Sequence, residues 1–387
     1  MKKPRTTTGE RGTILFVAGH PLDVGGVETY LLSLSKHLGR RFEVFLAASA
    51  SGRFHSRAAR AGLGVVPWAT GFPNDSSASQ NLRSLLEACR ADIVHVQDLP
   101  SALTAGRAAR RAGLPVVRTV HLPAAVTASG PGLRAWLRRG YYAALERHAH
   151  HRLADRVIFV AHSAMVGALS SGAVPRRAAR FVPNGVPPLR RSVDAAARRK
   201  TRAGLGADPS TTVLCFVGRL DRQKGVDVLI DGLSRLGPQE HLQTWLLGDG
   251  PDRSALEALA SQTGSENVVR FLGHREEVRR LLHAADAFVL PSRYEGMPIA
   301  LLEAMAAGLP CLVSDVGDCG LLVREAHCGL VVPGPHPAAW ADALRSLLSQ
   351  PDRWRPWGEA ARRAAAGYDI RQTVEATAAV YESVKAR

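Results

Sequence analysis

Short uninterrupted apolar runs alternate along the chain with longer stretches in which apolar residues recur every three or four positions. Runs at 13–18, 42–47, 64–67, 92–96, 116–120, 156–160 and 180–183 read as strands, and helix-like stretches such as 27–38, 80–90 and 101–112 lie between most of them. Continuous rather than alternating apolar runs suit strands covered on both faces, so this order predicts a parallel sheet with helices on either side. Pro183-Asn-Gly-Val-Pro-Pro188 breaks the pattern, and the polar, Arg-rich stretch 189–210 after it predicts an interdomain connection. Strands at 212–217, 242–247, 268–272, 287–290, 311–314 and 329–332 then alternate with helices again, and from about residue 337 the pattern is helical. The prediction is an α/β chain of two doubly wound, Rossmann-like domains, 1–187 and 188–367. They are expected to face each other across a cleft at their strand ends, where ligands bind in such sheets.

Composition changes this picture in one respect. A chain of 387 residues, 46% of them apolar, is large enough for two packed cores. Its five cysteines form no Cys-x-x-Cys pair, each sits in or beside an apolar segment, and buried thiols are expected. His148, His150 and His151 lack a second ligand group at a suitable spacing, so no metal site is expected. No apolar run approaches the ~20 residues that span a bilayer, and the stretch 14–18 is too short for a signal h-region, so a cytoplasmic protein is expected. The net charge of +16 is uneven: residues 1–187 carry 25 Lys and Arg against 10 Asp and Glu, whereas 188–387 carry 25 against 24. That asymmetry points to an anionic partner of the first half: nucleic acid, an acidic membrane surface or a phosphorylated substrate. An Arg-rich solvated surface is the plainer alternative.

The segment Ser292-Arg-Tyr-Glu-Gly-Met-Pro-Ile-Ala-Leu-Leu-Glu-Ala-Met-Ala-Ala-Gly-Leu-Pro310 follows one predicted strand. Pro298 suits the first turn of a helix and Gly308-Leu-Pro310 its stop. Glu295 then lies in the strand-to-helix loop and Glu303 inside the helix. The neighbours of Glu303 three and four positions away are Ile299, Ala300, Ala306 and Ala307, so no cation on its own helix can pair with it. Such a carboxylate needs a donor from elsewhere, which a ligand hydroxyl, solvent or a tertiary Arg would each supply. Two further loops follow strands of the same domain. Gly218-Arg-Leu-Asp-Arg-Gln-Lys-Gly225 offers Arg219 and Lys224 to a phosphate ahead of a helix start. Leu247-Gly-Asp-Gly-Pro251 allows a tight turn and close backbone approach. In the first domain, His20-Pro-Leu-Asp-Val-Gly-Gly26 joins strand to helix, and Gly25 and Gly26 either admit a ligand or form a flexible turn. It is neither a dinucleotide fingerprint nor a P-loop. His121 follows the strand at 116–120 and points to the same edge.

These elements, in this order, resemble the family 4 retaining glycosyltransferases, which have the two-domain GT-B fold. The resemblance spans nearly the whole chain. Its most specific part is Glu295 and Glu303 within EGMPIALLEAMAAGLP, supported by GRLDRQKG and LGDGP. It implies a nucleotide-sugar donor bound by the second domain, an acceptor bound by the first, and a helix at about 368–387 packed back on the first. It also implies that Arg219 and Lys224 hold the donor diphosphate and that Glu303 binds the ribose. Glu295, with Gly296, Met297 and Pro298, would hold the donor sugar. His121 would lie near the anomeric centre, Gly25 and Gly26 would line the cleft, and no metal or other cofactor is required. The sequence departs from the family pattern at Gly317-Asp-Cys-Gly-Leu321, where Gly-Gly-x-x-Glu is usual, and at Pro187, where Asp is common.

A sugar-nucleotide epimerase of similar fold and a non-enzymatic anion-binding protein are the competing readings; the paired glutamates favour transfer. The charged half supplies the clue to the acceptor. Gly132–Tyr142 mixes Trp136, Tyr141 and Tyr142 with Arg134, Arg138 and Arg139, a pattern that fits either an anionic membrane or a helix with a solvated Arg face. The expectation drawn is a lipid-linked or envelope polysaccharide acceptor met at the inner membrane face, with nucleic acid set aside.

Overall fold

A computed structural model describes residues 11–23, 25–49, 52–68, 76–127, 132–188 and 194–385. The chain divides into two compact units, 1–182 with 373–387 and 183–372. In the first, β1 (Gly12–Val17), β2 (Phe42–Ala48), β3 (Gly64–Pro67), β4 (Ile93–Val96), β5 (Val116–Val120), β6 (Arg156–Phe159) and β7 (Ala179–Phe181) form a parallel sheet in the order β3-β2-β1-β4-β5-β6-β7. In the second, β8 (Thr212–Val217), β9 (Leu242–Leu247), β10 (Val269–Gly273), β11 (Ala287–Leu290), β12 (Cys311–Ser314) and β13 (Gly329–Val332) form another in the order β10-β9-β8-β11-β12-β13. All strand pairs are parallel, for example Ile14 opposite Ile93 and Phe288 opposite Cys311. The central strands read as continuous apolar runs because helices cover both their faces; β4, β6, β11 and β12 are buried throughout. Strand order reverses between β1 and β4 and again between β8 and β11. Consecutive loops there diverge and open a crevice at the carboxyl ends of the strands.

Two predicted features are corrected. The stretch 189–210 is not a plain connection: residues 189–193 lie outside the described residues, and a helix, Ala195–Gly204, follows. Arg198 and Arg202 of that helix grip Asp286 at 2.5 and 3.0 Å, and Arg202 also donates to the carbonyl of Ala284. The break between units falls before Pro183 rather than after Pro187. Pro298, in turn, stands just outside its helix, Ile299–Ala307, with an extended ψ of 127°.

Polar residues tie the first unit together. The helix Ile370–Lys385 places Glu375 and Glu382 each 2.8 Å from Arg41. It also sets the Tyr381 hydroxyl 2.7 Å from Nδ1 of His95, whose Nε2 lies 2.7 Å from Thr119 Oγ1. Burial lowers His95 to about 3, so the ring is neutral and needs both partners. On the other side of the sheet Arg118 donates to Glu146 of the helix Leu133–His148 at 2.6 Å, both side chains buried. Tyr381→Phe leaves a ring nitrogen of His95 unpaired and is expected to destabilise the first unit by about 1–3 kcal/mol. Urea denaturation followed by far-UV circular dichroism measures that loss; an unchanged midpoint would show that the pair does not anchor the helix.

Candidate active site

Glycines at the carboxyl ends of β8 and β9 allow the backbones to touch. Gly225 is left-handed, with φ of 64°, and any Cβ there would collide with the carbonyl oxygen of Pro291. A Cβ on Gly248 would meet the carbonyl of Gly218, and one on Gly250 that of Leu220. The loop Leu247–Pro251 is therefore a close backbone approach, sealed by Leu220 N–H donating to Asp249 O and Asp252 N–H to Leu220 O, both at 3.0 Å. The turn Arg222–Lys224 is shaped by Asp221, whose side chain accepts from the Lys224 N–H at 3.2 Å.

This places Lys224 against the loop after β11. Its Nζ lies 2.5 Å from Glu295 Oε1, which also accepts from Ser292 Oγ at 2.7 Å. The side chains of Lys224 and Glu295 are 18% and 6% exposed, so the pair sits at the floor of the loop cluster. Arg293 forks onto Asp227 at 2.7 and 2.6 Å, and its N–H donates to Gln223 O, locking the two loops together. From the other side Asp318 N–H donates to Gly296 O at 3.0 Å and Asn184 Nδ2 to Met297 O at 2.7 Å. Gly317 is left-handed at φ 54°, and a side chain there would also strike the carbonyls of Glu295 and Gly296. The carbonyls of Gly296 and Met297 are thus occupied, whereas their N–H groups, on buried residues, donate to no acceptor among the described residues.

Two predicted ligand-binding side chains stand apart from this lock. Arg219 is 61% exposed, with Asp221 3.6 Å away. Glu303 has no hydrogen bond or ion pair among the described residues; burial pushes its carboxyl above the usual 4.5, against the pull of Arg279. The second unit therefore brings Lys224, Glu295, Gly296, Met297 and Pro298 together, with Arg219 and Glu303 on the adjoining loop and helix. Sequence reasoning missed Ser292, and it read Asn184 as part of a chain break rather than as a support. Each is a single polar residue whose partner is fixed by tertiary structure, and Ser292 three positions before Glu295 was the one local signal.

In the first unit the site residues gather at the corresponding strand edge. Asp98, which caps the helix Leu99–Arg111, accepts from Gly19 N–H at 2.7 Å and His20 N–H at 3.1 Å, and meets His20 Nδ1 at 2.7 Å. Although burial opposes ionisation, the His20 ring and Ser101 hold the Asp98 carboxyl below the usual range. His121 Nε2 lies 3.1 Å from Gln97 Oε1, and its ring packs edge-on against Tyr30 at 4.8 Å. Burial, reinforced by His20, lowers His121 to about 3, so it is neutral at physiological pH. Gly25 caps the helix Gly26–Leu38 in an extended conformation, where a side chain would press on the carboxylate of Glu28. At Gly26 a Cβ would point into open space, so packing alone does not require that glycine. No three His, Cys, Asp or Glu side chains among the described residues are grouped to hold a metal ion.

This geometry can be compared with known proteins. The family described as "Glycosyltransferase Family 4" matches residues 24–190, and that described as "Glycosyl transferases group 1" matches 197–364. The D-inositol 3-phosphate glycosyltransferase of Rhodococcus jostii is 30% identical over 389 residues, covering 91% of this chain and 83% of the relative. Its counterpart in Corynebacterium urealyticum is 36% identical over 199 residues, 49% of this chain, and the match spans 47% of that relative's length. Among solved structures, Anabaena HepE in complex with UDP-glucose aligns with a TM-score of 0.82 at 20% identity, covering 96% of this chain and 99% of that one. The two parallel-sheet units are those of the GT-B glycosyltransferases. The chain belongs to the family 4 glycosyltransferases.

Lys224→Met leaves the buried Glu295 without its cation and is expected to cost the second unit about 3 kcal/mol, while Lys224→Arg loses less. Chemical denaturation of the three proteins tests the pair; equal stability of all three would show that it is not structural.

Proposed function

We propose that the protein transfers a sugar from a nucleotide-sugar donor to a hydroxyl acceptor, with retention at the anomeric carbon. The observation that carries this reading is the constellation around Glu295: a fixed Lys224–Glu295 pair, the exposed Arg219 on the same loop as Lys224, and two buried residues, Gly296 and Met297, whose N–H groups donate to no acceptor among the described residues. Buried donors of that kind are costly unless a ligand supplies the acceptors. Family membership supports the reaction class. HepE, which shares the fold, holds UDP-glucose, and the Rhodococcus relative is named for a phosphorylated inositol.

In this reading Arg219 swings onto the donor diphosphate. Lys224 has three N–H donors and spends one on Glu295, which leaves two for the phosphates. As the bond between sugar C1 and the diphosphate oxygen breaks, negative charge builds on the leaving group and these cations stabilise it. The acceptor oxygen forms its bond to C1 on the face the diphosphate leaves, and its proton passes to a diphosphate oxygen. Glu295 acts as a positioner of the donor sugar rather than a covalent nucleophile, and the bonds of its Oε1 to Lys224 and Ser292 hold the carboxylate in place for that role. Gly296, Met297 and Pro298 present backbone to the same sugar. Glu303 accepts from the ribose hydroxyls, the donors its environment lacks. On the first unit, Gly25 and Gly26 admit the acceptor and His121 serves it as a neutral hydrogen-bonding group. The acceptor itself is assigned to envelope polysaccharide or glycolipid synthesis at an anionic inner membrane face, a role supported by the charge of residues 1–187.

Thermal stabilisation by a panel of UDP-, GDP- and ADP-sugars identifies the donor, and NMR of the product reports the anomeric configuration. Glu295→Ala is expected to cut transfer by about a hundredfold or more while the chain stays folded; full turnover by that variant would sink the assignment. Glu303 offers a separate check. Its carboxyl is raised in the folded protein, so acidification protonates it beginning above 4.5 and removes the acceptor. Donor affinity should therefore be highest above that range and fall as pH drops through it. Glu303→Gln should weaken binding and flatten the profile.

A further inference from the structure

The helix Leu133–His148 carries two apolar faces on opposite sides. At about 100° per residue, Ala135, Tyr142 and Glu146 share one side; Ala135 and Glu146 are buried, and Tyr142 packs against the core beneath the sheet. Leu133, Trp136, Leu137 and Tyr141 share the other, and they are 70, 67, 55 and 50% exposed. Arg134 and Arg138 border this second strip on one flank and Arg139 on the other, all exposed. One seam is enough to fix a helix to a sheet, so packing accounts for the first face and not for the second. Four large apolar side chains in a continuous solvent-facing row mark a surface made to be covered.

Charge says what covers it. Within 132–152 the single carboxylate is Glu146, and it is buried against Arg118. The charge this segment exposes, from Arg134, Arg138, Arg139, Arg147 and Arg152, is therefore wholly positive. A row of Leu, Trp and Tyr edged by arginines matches the layering of a bilayer surface, with acyl boundary beneath and phosphates beside. The strip is also one helix wide, narrow for a stable dimer that needs about 800 Å² from each partner.

We propose that this strip docks the protein on an anionic phospholipid bilayer, with the helix lying in the interface plane. Leu133, Trp136, Leu137 and Tyr141 enter the headgroup–acyl boundary, and Arg134 on the flank meets lipid phosphates. The inference extends the membrane part of the proposed function and is independent of which donor is used. The test is co-sedimentation of the full chain with phosphatidylcholine vesicles, with and without phosphatidylglycerol, at low salt. Binding is expected to the anionic vesicles and to weaken as salt rises. Trp136→Ser with Leu137→Ser should lower that binding about tenfold or more, with stabilisation by the nucleotide-sugar unchanged. Equal binding by the double variant and the parent would overturn the proposal, as would no preference for anionic vesicles. A parent that dimerises and a double variant that does not would overturn it too, by showing that the strip pairs with itself. Vesicle binding without any sugar transfer would support the docking and overturn the function proposed above.

Discussion

The second unit depends on main chain touching main chain at the carboxyl ends of its central strands. Gly225 lies against Pro291, Gly248 against Gly218, Gly250 against Leu220, and Gly317 against Glu295 and Gly296. In each case a single methyl group would force two loops apart. Because they meet so closely, few side chains are needed to hold them, and the Arg293–Asp227 fork and the Asn184 amide suffice. Lys224, Glu295 and their neighbours thus stand on a frame that has little room to shift, which suits the positioning of a ligand.

The first unit reaches a similar end by different means. There one carboxylate, Asp98, gathers the N–H groups of Gly19, His20 and Ser101 and the His20 ring, so the loop after β1 and the helix after β4 share an anchor. His121, by contrast, is held by Gln97 and Tyr30 and kept neutral by burial. With its one N–H given to Gln97 Oε1, the neutral imidazole keeps its other nitrogen as an acceptor, which a fixed cation does not have.

Most of the architecture was legible because buried parallel strands leave continuous apolar runs. The strands Val116–Val120, Thr212–Val217, Ala287–Leu290 and Cys311–Ser314 fall where those runs fall. The helix Ala195–Gly204 did not show, because it docks by Arg198 and Arg202 on Asp286 and its apolar positions carry no clear period. The helix Gly52–Arg60 leaves an equally faint trace: Phe54 and Ala58 are its buried residues and most of the others are polar. Within the candidate site, glycine and charge spacing marked the loops that carry Lys224 and Glu295. The Ser292 contact and the grip of Asn184 on Met297 could not be read that way, since each joins a polar atom to a partner that folding alone supplies.

Arg118 and Glu146 have a consequence for the helix that presents Trp136. Glu146 accepts from Arg118 at 2.6 Å and from the Ala124 N–H at 3.2 Å, so it is pinned in two directions. Because the pin is off-axis, it fixes the rotational phase of the whole helix as a key fixes a shaft. A slip of one residue would turn Leu133 and Trp136 toward the flank and bring an arginine to the crest. The orientation of the exposed strip is thus decided ten residues away, inside the protein, by a buried ion pair. A change to one member of that pair would loosen the aim of the surface without touching a surface residue.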